Sequence, residues 1–197
     1  QSNRNFINKL LNDTQFKEKK INFENLRINY FNKEKTKISH LIKKKVLFIC
    51  LGEVEHNKKY ETNINASRIL FEYYSNGNLN KFLNKNGNFI FLICDQKKII
   101  AGKSKSSIIP FYYRIIGKKI IFSHNIQNVI VNSNSDTSFN LNKIGQLILT
   151  NGIVLDEETI INNINYLLNG ELIEFDSQKK VSSVENYFTY KPEYKSI

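Results

Sequence analysis

Apolar and polar positions along the chain change period several times, and each change predicts an element. Residues 4–13 place Phe6, Leu10 and Leu11 at helical spacing, and a charged stretch from Lys17 to Lys20 follows. "INFENLRINYF" (21–31) alternates well enough for a strand, and "KISHLI" (37–42) and "KKVLFICL" (44–51) supply two more. From Asn63 the period lengthens. Ala66, Ile69, Leu70 and Tyr73 mark a helix that stops at Asn76-Gly77, where glycine adopts the left-handed backbone of a helix end at little cost. A short second helix covers 78–83. Strands then follow quickly at 88–94, 97–103, 107–116 and 118–124. The joints Asp95-Gln96 and Gly117-Lys118 are tight, which makes these strands antiparallel hairpins. Pro110 lacks an N–H and so marks an edge, a bulge or a strand end. Helical spacing resumes at 125–130, 140–149 and 156–168. Gly170 ends that region, and "ELIEFD" (171–176) is a further strand.

Strands and helices therefore come in runs. That pattern predicts an α+β fold with antiparallel sheets and argues against a doubly wound parallel sheet. The 197 residues fit one domain of ordinary size. Its expected limits are 21–183. Residues 1–20 form an N-terminal helical segment whose opening Gln1-Ser2-Asn3 resembles the remnant of a protease-cleavage site. Residues 184–197 depart from the core. The chain has no internal repeat and no linker rich in Gly, Ser or Pro.

Composition changes this picture little. Hydrophobic residues make up 41%, which is globular and not disordered. Net charge is +11, from 29 Lys+Arg against 18 Asp+Glu. Such a balance is either an electrostatic footprint for nucleic acid or lysine usage spread over a solvated surface. The lysines, Lys43 to Lys45, Lys97, Lys98, Lys103, Lys105, Lys118 and Lys119 among them, fall mostly at turns and loop edges in ones to threes. Arginine, the better phosphate and base reader, is scarce. The surface reading is adopted, and nucleic acid is not expected as a partner. No run approaches the ~18 apolar residues of a membrane span, so no membrane is expected. The N-terminus lacks the apolar segment of a secretory signal. Cys50 and Cys94 each end an apolar run and read as buried thiols of a reducing, cytoplasmic setting.

Candidate chemistry is thin. Cys50 as a nucleophile would need a base, and no His or Asp stands at suggestive spacing, so it reads as core. His40, His56 and His124 are far apart and show no ligand spacing, so no metal is expected. Phe111, Tyr112 and Tyr113 beside Arg114 and Lys118 could stack bases, but also suit a core hairpin. "SNGNLN" and "NKNGNF" lack the glycines and the Lys-Ser/Thr of a phosphate loop, so no cofactor is expected in this chain.

Four segments nevertheless match one family in order. "LFICLGEVEHN" resembles its strand ending in Asn-Gly-Glu. "ASRILFEYYSNGNLNKFLNKNGNFIFLICD" resembles its helix and the "FAF…D" strand. "GKSKSSIIPFYYRIIGKKIIFSHNIQNVI" is similar to its "ARD…G-x-x-PLYY…FASE" hairpin. "DEETIINNINYLLNGELIEFD" is similar to the "T…GI…L-P-G" segment. The family is the N-terminal, class II glutamine-amidotransferase-like domain of asparagine synthases. The resemblance implies an αββα four-layer sandwich of two antiparallel sheets, of the N-terminal-nucleophile type. It implies a terminal cysteine nucleophile with its own amine as base. It also implies an oxyanion site built from a backbone N–H and the Asn of Asn-Gly-Glu, an Arg for the glutamine carboxylate and an Asp for its amine.

Carried over residue by residue, Arg27 matches the carboxylate-binding Arg, and Gly52 and Glu53 match the oxyanion turn. Leu51 stands where the Asn belongs and cannot donate a hydrogen bond. Loss of one such donor typically costs ~10²–10³ in rate. Asn65, with Asn63, stands where the Asp is expected, and no N-terminal cysteine is present. The resemblance therefore implies a domain with vestigial glutamine-site positions (Arg27, Leu51, Gly52, Glu53, Asn65) and no catalytic residue. Its expected partners are an ATP-using, amide-forming C-terminal synthase-like domain of the same protein and a second copy of itself. The "SGG-x-DS" pyrophosphatase loop of such a domain is absent from the sequence. Two other readings stay open: an active glutaminase whose cysteine lies outside this sequence, and a basic nucleic-acid-binding module.

Overall fold

The structure is a computed structural model that describes residues 16–23, 26–33, 40–95, 97–133, 138–152, 156–176, 178 and 181–188. The helix predicted over 4–13 lies outside them. The strands are β1 (Phe16–Phe23), β2 (Leu26–Lys33), β3 (His40–Lys43), β4 (Val46–His56), β5 (Lys59–Thr62), β6 (Gly87–Cys94), β7 (Lys98–Lys103), β8 (Tyr112–Ile116), β9 (Lys119–Ser123), β10 (Asn165–Tyr166), β11 (Glu171–Asp176) and β12 (Val181–Asn186). The helices are α1 (Asn63–Ser75), α2 (Leu79–Leu83), α3 (Ile126–Ser133) and α4 (Leu141–Leu149).

Two antiparallel sheets carry the fold. The larger has seven strands in the order β12-β11-β7-β6-β4-β3, with β5 also paired to β4. The smaller runs β10-β8-β9. Side chains alternate across each strand, so every core strand feeds two layers. On one face of the large sheet, Phe48, Cys50, Phe89, Phe91 and Ile100 pack under Ala66, Ile69 and Leu70 of α1 and Phe82 and Leu83 of α2. Phe82 meets Phe89 and Phe91 with ring centroids 5.2 and 5.7 Å apart, in tilted and edge-on geometry. On the other face, Leu51, Ile90, Leu92, Ala101 and Ile173 pack with Phe111, just before β8, and with Tyr113, Ile120 and Phe122 of the small sheet. Helix α3 lies on the small sheet against β8 and β9. The layers read helix, sheet, sheet, helix, an α+β architecture of the αββα kind. A third cluster joins Phe23 at the end of β1 to Leu47 and Cys94.

Most predicted elements appear within a few residues. Four differences have physical causes. The strand expected over 21–31 is two strands, β1 and β2, paired antiparallel with Phe23 opposite Leu26. The strand expected over 107–116 begins only at Tyr112, after Pro110. The segment 107–109 turns instead, with the backbone N–H groups of Ile108 and Ile109 donating to Asn88 Oδ1 and Ser107 Oγ. The helix expected over 156–168 does not form. Ile161 bridges Phe139, Glu158 bridges Asn165, and Asn165–Tyr166 joins the small sheet as β10. Asn163 has φ +62°, which no right-handed helix accommodates. The Thr159 hydroxyl donates to the Ile161 and Ile164 carbonyls and accepts from the Ile161 N–H, so it supplies local partners that compete with a helix. Finally, β12 pairs with β11 from Val181 to Asn186, so the ladder continues past position 184, where the sequence places the start of a tail.

Candidate functional site

Three of the five positions carried over from the resemblance, Leu51, Gly52 and Glu53, lie on β4. Its eleven residues outlast any neighbour, and its outer edge is shared, with β3 pairing Val46–Ile49 and β5 pairing Glu53–His56. Leu51, Gly52 and Glu53 lie where one partner gives way to the other. Glu53 is exposed and stands between Asn88 on β6 and Thr62 on β5. Helix α1 starts directly after β5, which brings Asn65 to the same end of the strand pair. The Asn65 side chain is exposed, and its Nδ2 donates to Glu61 Oε2 at 2.9 Å. Arg27 lies on β2 opposite Asn22, in the separate two-stranded sheet. The structure thus brings four of the five positions together.

Gly52 is where backbone geometry dictates the residue. Its φ is +109°, and a Cβ added there would lie 2.0 Å from the Asn88 carbonyl oxygen and 3.0 Å from Ile109 Cδ1. Only glycine permits both the conformation and the approach. Asn88 in turn pins the 104–109 loop. Its Oδ1 accepts from Ser107 Oγ and from the Ile108 N–H, both at 3.1 Å. At the loop's start, Ser104 Oγ donates to the Gly87 carbonyl at 2.8 Å. The loop therefore closes over the rim at Gly52, with Ile109 as its apolar contact.

Leu51 points away from the helices. It is partly buried and packs against the inter-sheet cluster with Ile90, Ile109 and Phe111. Cys50 points the opposite way, beneath α1. Its backbone N–H donates to Ser67 Oγ at 3.1 Å, and burial raises its thiol pKa far above the ordinary value. A thiol so protonated and so covered is no nucleophile. Cys94 is also buried, and neither cysteine is in a disulfide. No group of three or more His, Cys, Asp or Glu among the described residues could hold a metal.

Sequence reading missed a second polar group at the junction of the two sheets. Lys103, grouped above with the loop-edge lysines, is 1% exposed, and so is Lys143. The register runs Leu51 to Ile90 to Lys103, so Lys103 shares a row and a sheet face with Leu51, two strands away. Its ammonium donates to the Tyr166 hydroxyl at 2.5 Å and sits 4.2 Å from that ring's centroid. Burial lowers its pKa to about 8, against a raising influence from Glu171. Burial also raises the pKa of Glu171, Tyr113 and Tyr166. The available signal was that Lys103 continues the alternation of Ile99 and Ala101. Lys143 is the simpler case, an ion pair with Asp156 that ties α4 to the segment after it.

The comparisons place these features in a family. The model of the glutamine amidotransferase domain matches residues 51–188, more than half of the chain. The chain belongs to the glutamine amidotransferase domain family. Among solved structures it is similar to the glutamine phosphoribosylpyrophosphate (PRPP) amidotransferase from B. subtilis complexed with ADP and GMP. The identity is 10% and the TM-score 0.48, over 81% of this chain and 33% of that one. The chain thus spans about a third of that enzyme's length. No curated protein matches the chain. Among the described residues no helix is long and apolar enough to cross a membrane.

Proposed function

We propose that this is a glutamine amidotransferase domain that no longer hydrolyses glutamine. On this reading it serves an asparagine-synthase-like protein in the cytoplasm, as the partner of a C-terminal domain that forms amide bonds with ATP. The observation that carries the loss is Leu51. Tetrahedral intermediates of amide hydrolysis need donors aimed at the forming oxyanion. Here the residue beside Gly52 offers only methyl groups, and those groups are packed into the inter-sheet cluster. Asn65 supports the same reading. A neutral amide stands where a carboxylate would hold the substrate ammonium, and it is turned to Glu61. The motif resemblance supports the asparagine-synthase side, and the role left to the domain is to pack against the synthase half and shape its entrance.

Gly52 favours a second reading. Its φ of +109°, which glycine adopts without strain, and the Glu53 that follows keep the Gly-Glu pair of the resembled oxyanion turn, and on this reading a terminal cysteine meets an intact backbone there. One experiment separates the two. The protein is expressed with its natural N-terminus, and ammonia release from glutamine is measured for the wild type and for Leu51→Asn. No release from the wild type supports the loss, whether or not Leu51→Asn gains activity. Turnover by the wild type overturns it.

A further inference from the structure

We propose that α4 is the surface through which two copies of this chain pair about a two-fold axis. The helix is built inside out. Lys143, its single charged residue, is buried and held by Asp156, while Leu141, Ile148 and Leu149 are 76, 72 and 86% exposed. Phe139, just ahead of the helix, and Ile160, whose carbonyl accepts the Asn140 N–H at 2.9 Å, are exposed beside it. No residue of α4 belongs to the apolar clusters that hold the two sheets, α1 and α2 together. The other large apolar residues at the surface, such as Ile42, Tyr60, Ile108 and Val184, stand one to an element. Single exposed residues are ordinary, whereas a continuous apolar helix face marks a contact.

Two observations make the occupant a second copy. The first is spacing. Leu141 and Leu149 stand four residues either side of Gly145, on one face of the helix and about 12 Å apart along its axis. Two antiparallel α4 helices crossing at Gly145 therefore bring Leu141 of each copy against Leu149 of the other, the self-complementary match that a two-fold axis requires. A Cβ built on Gly145 meets nothing within 4 Å, so the crossing point is bare and the helices can approach closely there. The second observation is charge. The chain carries +11, and two such copies repel over most of their surface. The outward residues of α4 are neutral, because its one cation is turned inward and paired. The same feature argues against a lipid surface, since helices that lie on membranes carry Lys and Arg on the polar face. The contact is also preformed. Asn140 Oδ1 accepts the Lys143 N–H at 3.0 Å, and Asn140 Nδ2 donates to Glu158 Oε2 at 3.2 Å, so pairing has little backbone left to order.

Sedimentation equilibrium of the 197-residue chain tests the pairing. It should show a monomer–dimer equilibrium in the micromolar range or weaker, because one helix per copy is small against the ~800 Å² per partner of a standard interface. Leu149→Lys should weaken association by more than about tenfold, since it sets an unpaired charge in the contact, and should leave Tm unchanged. Cross-linking tests the orientation. Leu141→Cys mixed with Leu149→Cys should form an intermolecular disulfide under mild oxidation. Either variant alone should form little, because its two equivalent positions lie too far apart to bridge. The native Cys50 and Cys94 are buried. A monomer at every concentration overturns the proposal, whether the face then binds phospholipid vesicles or another domain. So does a dimer that Leu149→Lys leaves intact, or cross-linking as strong within each variant as in the mixture. If Leu149→Lys does not fold, the cross-linking pattern decides. None of these readouts depends on whether glutamine is hydrolysed.

Discussion

Gly52 and Leu51 are neighbours under different demands. Gly52 is required by backbone geometry, whereas the aliphatic side chain of Leu51 packs into the inter-sheet cluster and has no hydrogen to donate. The glycine yields a direct prediction. Gly52→Ala places a methyl group 2.0 Å from the Asn88 carbonyl oxygen at φ +109°. Strain of this kind costs about 1–3 kcal/mol, and the overlap adds to it. Urea denaturation should therefore show a loss of at least about 2 kcal/mol, although alanine is otherwise the mildest of changes. A loss under about 0.5 kcal/mol would mean that β4 does not pass Asn88 as closely as it does here. At this scale the sequence was legible where a residue's chemistry is visible by itself. A leucine cannot donate, and that needs no coordinates. Lys103 was not legible, because a lysine between Gly102 and Ser104 looks like any solvated loop-edge lysine. Only the structure shows that it is enclosed, on the sheet face that packs against the small sheet.

At the scale of elements, periodicity served best where one face of a strand or helix meets one core layer. The strands at 88–94 and 118–124 and the helices from 63 and 140 were read almost to their ends for that reason. It failed at 156–168, where Ile160, Ile161, Ile164, Leu167 and Leu168 happen to fall at near-helical spacing. There the isoleucines are β-branched, and two adjacent asparagines offer a turn. The difference can be measured at Asn163. In a helix, alanine would be best and glycine worst. At φ +62° the order inverts. Asn163→Gly should be neutral or slightly stabilising, and Asn163→Ala should lose about 1 kcal/mol by thermal or urea unfolding. The helical order of effects would restore the helix.

For the molecule as a whole, the two-sheet core encloses a lysine whose burial outweighs the influence of the Glu171 carboxylate, and pH should expose the consequence. Lys103 titrates near 8 in the folded chain against an ordinary 10.5. Between those values the unfolded chain binds more protons than the folded one, so stability rises with pH, by at most about 1.4 kcal/mol per unit for one group. Tyr113, Tyr166 and Tyr187 act in the opposite sense, because burial raises their pKa values above 10. Above pH 10 the unfolded chain loses phenolic protons that the folded chain keeps, and stability falls. On the acid side, Asp156 is held below its ordinary value by the hydrogen bond from Lys143, and that contribution is lost as pH falls through the folded value. The expected curve rises from about pH 8, turns over near 10 and falls beyond it. Urea midpoints across pH 6–11 would trace it. In Lys103→Met the rise should flatten while the alkaline fall persists, because the tyrosines remain. A wild-type curve already falling between 8 and 10 would mean that Lys103 is solvated, and that the two sheets do not close over it.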